Sequence, residues 1–123
     1  MWINNKKKAL KSSLENIRHF HKAQQIEFPA SQTAPGVRCW QKSVPIEKVG
    51  LYIPGGTAPL ISTVLMLGIP AKLAGCKEIV LCSPPNKNGK IHPAILYAAK
   101  LSGVTQIYKL GGVQAIGAMA YGT

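Results

Sequence analysis

Aspartate is absent from this 123-residue chain, whose only acids are Glu15, Glu27, Glu47 and Glu78. Without it the sequence holds no aspartyl dyad, no Asp-held magnesium and no Ser-His-Asp triad. Histidine is almost as scarce. His19 and His21 stand two apart in a stretch that reads as helix and so point to different faces, while His92 is isolated beside Pro93. That spacing argues against a zinc site made wholly by this chain. The three cysteines, Cys39, Cys76 and Cys82, form no CxxC pair. With no secretory leader at the start, they read as reduced thiols, two of them packed in apolar surroundings, a catalytic thiol being the lesser alternative. A long clean hydrophobic run is also missing. The longest apolar stretch, 58–74, is interrupted by Thr63, Gly68, Pro70 and Lys72, short of the roughly 20 apolar residues of a membrane span. The expectation is a soluble, cytoplasmic chain with no membrane partner.

Positive charge, by contrast, is abundant: 15 Lys and Arg against 4 acids give a net charge of +11. An excess of that size can signal nucleic acid. Yet only Arg18 and Arg38 could make bidentate forks to bases or phosphates, and the lysines are scattered apart from Lys6, Lys7, Lys8 and Lys11. A solvated N-terminal arm is the favoured reading, and a Lys-rich nucleic-acid binder the weaker alternative. With 46% hydrophobic residues and a mean hydropathy of +0.08, the composition is that of a folded domain with a single core.

Leu10, Leu14, Ile17 and Phe20 are spaced by four, three and three, which predicts an amphipathic helix over 9–25, ended before Pro29. Its apolar stripe is narrow, so it should lie on something rather than sit in a core. Residues 32–47 read as a strand or extended connector with a turn at Pro35-Gly36. From Lys48 onward strands alternate with helices. Strands are predicted at 49–53, 78–82 and 105–110, and helices at 60–73, 92–101 and 113–121. Gly75 and Gly103 sit just past helices, where left-handed backbone is usual. Pro70 predicts a kink or break. Short connections in this alternation imply a parallel sheet with right-handed crossovers, its apolar strands buried on both faces. Residues 83–90, SPPNKNGK, read as a long polar loop.

Two glycine corners stand out. In 49–59, VGLYIPGGTAP, Gly55 and Gly56 lie where the first predicted strand ends and its helix begins. Open α/β sheets bind ligands at that edge, and glycines there admit close approach, with free backbone N–H groups and a helix dipole favouring an anion. Gly111-Gly112 form the second corner, with Gln114 one turn into the following helix. The GxGxxG dinucleotide fingerprint nevertheless fails, since PGGTAP lacks the third glycine and LCSPP stands where an acidic ribose-binding residue should be. The residues alone leave open an anion site or a tight turn with no ligand. They equally leave Tyr52 as a core aromatic at a strand end and Gln114 as an amide capping its own helix.

Residues 49–85, VGLYIPGGTAPLISTVLMLGIPAKLAGCKEIVLCSPP, and 95–123, ILYAAKLSGVTQIYKLGGVQAIGAMAYGT, resemble histidinol dehydrogenase, and the match reaches back through ENIRHFHKAQ at 15–24. The resemblance implies a zinc-dependent enzyme that oxidises L-histidinol through the aldehyde to L-histidine in histidine biosynthesis, with two NAD used in succession. It also implies a homodimer, and a nucleotide-binding domain like that of aldehyde dehydrogenases, which does not use GxGxxG. The family's NAD-contacting tyrosine, in GLYxPGG, falls on Tyr52, and its NAD-contacting glutamine, in GGxQA, falls on Gln114. Its asparagine NAD contact, its zinc ligands and its acid-base pair would come after Thr123.

The expected architecture is therefore α/β: an incomplete doubly wound parallel sheet preceded by an amphipathic helix, with residues 1–31 as a helical arm and 32–123 as a partial NAD-binding domain. By itself the chain is expected to lack catalytic and zinc-binding residues and to be inactive. A non-enzymatic module that self-associates is the alternative.

Overall fold

Helix α1 (Trp2–Lys22) opens the chain; the computed structural model describes residues 2–55 and 59–122. It starts well before the apolar stripe because its Lys- and Ala-containing first turns favour helix without needing burial. The buried line runs through Leu10, Leu14 and Ile17. Phe20, assigned to that line from the sequence, is 63% exposed and stacks edge-on against His21, ring centres 5.3 Å apart. At 3.6 residues per turn, position 21 rather than 20 falls beneath Leu14. Gln25 then donates from its amide to Leu73 O at 2.8 Å. A small antiparallel hairpin follows, β1 (Ser31–Ala34) and β2 (Val37–Cys39), turning at Pro35-Gly36 as the sequence predicts.

The centre of the molecule is a parallel three-stranded sheet in the order β3-β4-β5, formed by β3 (Lys48–Tyr52), β4 (Glu78–Cys82) and β5 (Gln106–Tyr108). Helices α2 (Ile61–Ala74) and α3 (Pro93–Ser102) make the two crossovers. Both end on left-handed glycines, Gly75 at φ +93 and Gly103 at φ +86. Because strand side chains alternate faces, Leu51, Ile53, Ile79 and Leu81 point together towards the helices. There Ile53 and Leu81 meet Val64, Leu65, Ile69, Ile95, Ala98, Ala99 and Leu14, while Leu51 and Ile79 meet Cys76. Helix α2 is apolar almost all round; α1 and α3 both pack on it, while Met66 and Leu67 stay exposed. It passes Gly68 close to Ser102 of α3: a methyl on Gly68 would stand 2.5 Å from the serine Oγ.

Two expectations need correction. Of the kink or break expected at Pro70, the break does not occur: helix α2 runs on through it, since its neighbours hold it by packing and a single missing N–H does not outweigh that burial. Nor are all the strands buried on both faces: every residue of β5 is exposed. Helix α4 (Val113–Tyr121) returns from β5 to the second face of the sheet, but it lies on β3, with Met119 over Gly50. Among the described residues β5 gains no such cover.

Candidate functional site

The carboxyl ends of the three strands lie side by side, so the segments that leave them share one edge. Backbone bonds carry the sheet register into those segments: Ile53 N donates to Cys82 O at 2.9 Å, and Ser83 N donates to Tyr108 O at 3.1 Å. The first corner therefore begins at Pro54-Gly55, the middle one at Ser83-Pro84-Pro85 and the last at Lys109 to Gly112. Gly56, Thr57 and Ala58 of the PGGTAP turn lie outside the described residues.

Tyr52 is the last residue of β3 and is half-buried. Its hydroxyl oxygen accepts a hydrogen bond from Gly112 N–H at 3.0 Å. That contact spans the sheet and joins the first glycine corner to the third. Gly112 itself has φ +73, a conformation that side chains rarely tolerate. Gln114, two residues on and exposed, folds its carboxamide back over this corner: a Cβ on Gly112 would lie 2.7 Å from its Oε1. No side chain caps the start of α4. Tyr52 and Gln114, singled out separately from the sequence, thus stand on the same exposed corner, and the tyrosine is tied to backbone rather than sealed in the core.

Pro84 was missed. The sequence shows 83–90 only as a polar loop, yet Ser83 is buried and Pro84 half-buried between the two glycine corners. A Cβ on Gly55 would collide with Pro84 Cγ, and one on Gly111 would stand 2.5 Å from Pro84 Cβ. The signal available was the Pro-Pro pair itself, stiff residues directly after the central strand. Beyond it the loop is closed by Asn86, whose Oδ1 accepts from Asn88 N at 2.9 Å and Lys90 N at 3.0 Å.

Two hollows border this edge. One, of about 230 Å³, lies between Pro54, Gly55, Ser83, Pro84, His92 and Ile95. The other, of about 430 Å³, opens on the second face of the sheet beside Gly50, Val80, Cys82 and Tyr108, with Met119 of α4 on one side. Neither is lined by Tyr52 or Gln114. His92 is a helix cap: its Nδ1 accepts from Ala94 N–H at 3.2 Å, a role the His-Pro start of α3 could have suggested. Among the described residues no group of three or more His, Cys, Asp or Glu could hold a metal ion. Cys76 and Cys82 are buried and Cys39 is exposed. Burial pushes the Cys82 thiol up, away from the thiolate a nucleophile needs.

The architecture defines a mixed α/β protein with a parallel sheet, its glycine corners gathered at the carboxyl edge where such sheets hold ligands. Comparison with known proteins narrows this class. The family model described as histidinol dehydrogenase matches residues 3–123, and the chain belongs to that family. It is 69% identical over 117 residues to the histidinol dehydrogenase of Bacteroides fragilis strain YCH46, covering 95% of this chain and 27% of that protein. The corresponding protein of Bacteroides thetaiotaomicron is 66% identical over the same shares of each. The crystal structure of histidinol dehydrogenase from Elizabethkingia anophelis superposes with a TM-score of 0.91 at 57% identity, over 94% of this chain and 27% of that one. The chain thus spans about a quarter of the length of the relatives it matches.

Proposed function

We propose that this chain is the nucleotide-binding portion of a histidinol dehydrogenase, with Tyr52 and Gln114 as its contacts to NAD. The observation that carries this reading is the bond from Gly112 N–H to the Tyr52 hydroxyl; with the Gln114 carboxamide folded over Gly112, both residues stand near one corner of the edge at which such sheets commonly hold ligands. The donor set suits a nucleotide. Gln114 offers one acceptor and two donors at the surface, and the Tyr52 hydroxyl, already accepting from Gly112, keeps its own proton to give.

In a whole protein of the family the reaction would be oxidation of L-histidinol to L-histidine, and bound NAD would take up the hydride. The residues of this chain then bind and orient the cofactor, and none of them is assigned to proton transfer. The residues described here do not fit zinc, so no step is derived through it. The same proposal includes a doubly wound, aldehyde-dehydrogenase-like domain in 32–123, an arm in 1–31, a cytoplasmic location and a homodimer. Met119 over Gly50, on the face opposite Leu51, supports the doubly wound element.

Saturation-transfer NMR with NAD tests the reading. Transfer to NAD is expected from the chain as it stands and should weaken severalfold in Gln114→Ala, a loss in line with removing one or two neutral hydrogen bonds. A well-folded chain that gives no transfer, or a variant that behaves like the parent, would count against it. The chain alone is also expected to make no NADH from histidinol, with or without added zinc.

Self-association is a second reading, favoured by apolar side chains left uncovered at the two ends of α4: Val113 is 84% exposed and Tyr121 93%.

A further inference from the structure

The two glycine corners are held apart by one ring. A Cβ at Gly55 would run into Pro84 Cγ, with Pro84 Cβ and Cδ both at 3.4 Å. A Cβ at Gly111 would meet Pro84 Cβ at 2.5 Å, Cγ at 3.0 Å and Cα at 3.2 Å. Neither Gly55 nor Gly111 has a positive φ, so backbone conformation does not demand glycine at either place. Contact with the proline does. Nor can the ring step aside as a long flexible side chain would. Pro84 is followed by a second proline, its φ is fixed by the ring, and it is anchored from behind by Ser83 N on Tyr108 O. The Asn86 loop closes the far side, where Asn86 N reaches Lys90 O at 2.9 Å.

From this packing we infer that Pro84 is a positioning residue: its ring is the spacer that fixes the separation of the Gly55 and Gly111 corners, and with it the placing of Tyr52 against Gly112 and Gln114. The inference rests on the nucleotide-binding reading for its functional consequence and on packing alone for its geometry. It also explains the glycines. At Gly55 and Gly111 the space a side chain would need is taken by Pro84, so glycine would be required there whether or not a ligand binds.

The asymmetry of the contacts supplies the test. Gly55 meets chiefly Cγ, which alanine lacks, whereas Gly111 meets chiefly Cβ, which alanine keeps. Pro84→Ala should therefore rescue Gly55→Ala but not Gly111→Ala. The chain would be labelled with ¹⁵N and titrated with NAD as the parent, the three single variants, and the doubles Gly55→Ala/Pro84→Ala and Gly111→Ala/Pro84→Ala. Each glycine variant is expected to weaken NAD by about tenfold and to shift the amides of Gly112 and Gln114, a size typical of overpacking by one methyl. Pro84→Ala alone removes the ring and should itself weaken NAD and shift those amides. In the first double the methyl at position 55 takes the room of the lost Cγ, so the affinity should return to within about threefold of the parent and the amides towards their parent positions, the non-additivity expected of touching residues. In the second they should not.

Equal rescue of both glycine variants, or of neither, would overturn the spacer. Should the parent bind no NAD, the nucleotide reading fails, and the spacer is still decided by the amide shifts. Should Gly55→Ala not fold, recovery of a dispersed spectrum in its double with Pro84→Ala is the same rescue, and continued unfolding of that double overturns it.

Discussion

The side chain of Thr105 stitches the start of β5 to β4. Its hydroxyl donates to Ile79 O at 2.9 Å and accepts from Ile79 N at 3.0 Å, while Thr105 N donates to the same carbonyl at 2.8 Å. Thr105→Val keeps the shape but leaves the Ile79 N–H without an acceptor. A loss of about 1–3 kcal/mol in a urea melt is expected. The cysteines give a second outcome. Iodoacetamide at about pH 8 should modify Cys39 alone, read as a single adduct by mass spectrometry, because Cys76 and Cys82 are buried and reactivity follows exposed thiolate. Burial raises the Cys82 value, so the fold keeps this thiol protonated after the unfolded chain's thiol has begun to ionise. Its contribution is intact at neutral pH and is lost as pH rises through the raised value. At this scale the sequence exposes Tyr52 and Gln114 through their motifs but conceals their partnership. The link is a contact between positions 60 apart, and no local spacing encodes it. Pro84 was hidden for the same reason, since a loop residue's neighbours are decided by strand order.

Among the elements, Gly68 governs how closely α2 and α3 approach. Its methyl would lie 2.5 Å from Ser102 Oγ and 2.7 Å from Ser102 Cβ, and the serine Oγ is itself bonded to Ala99 O at 3.2 Å. Gly68→Ala is expected to lower stability by about 1–3 kcal/mol despite alanine's better helix propensity, measured by thermal melting followed at a helical wavelength. A variant as stable as the parent would mean the helix pair can part without cost. Elements with strong periodicity were readable: β3, β4, α2, α3 and α4 fall within a residue or so of their expected bounds. Less of β5 formed than TQIYKL suggests, three residues only. Its pairing with β4 covers Val80 to Cys82, and the chain must then turn into the glycine corner. The early start of α1 and the unbroken α2 have different causes: the exposed first turns of α1 form on helix propensity alone, whereas in α2 tertiary packing outweighs the proline penalty.

For the whole molecule, the net charge of +11 keeps copies apart while Val113, Tyr121 and the open face of the sheet invite contact. Salt screens the first effect and leaves the second. Sedimentation velocity is therefore expected to show a rising average mass between about 50 mM and about 500 mM salt. A mass that falls with salt would point instead to association through charge. The parallel strand order carries one more consequence, for the time course of folding. Tyr52 is in place once β3 pairs with β4, but its partner Gly112 arrives only after the chain has closed two successive crossovers. Sequence-distant closures of this kind come late. Protection of a single amide against hydrogen exchange, that of Gly112, would therefore time-stamp the last act of assembly.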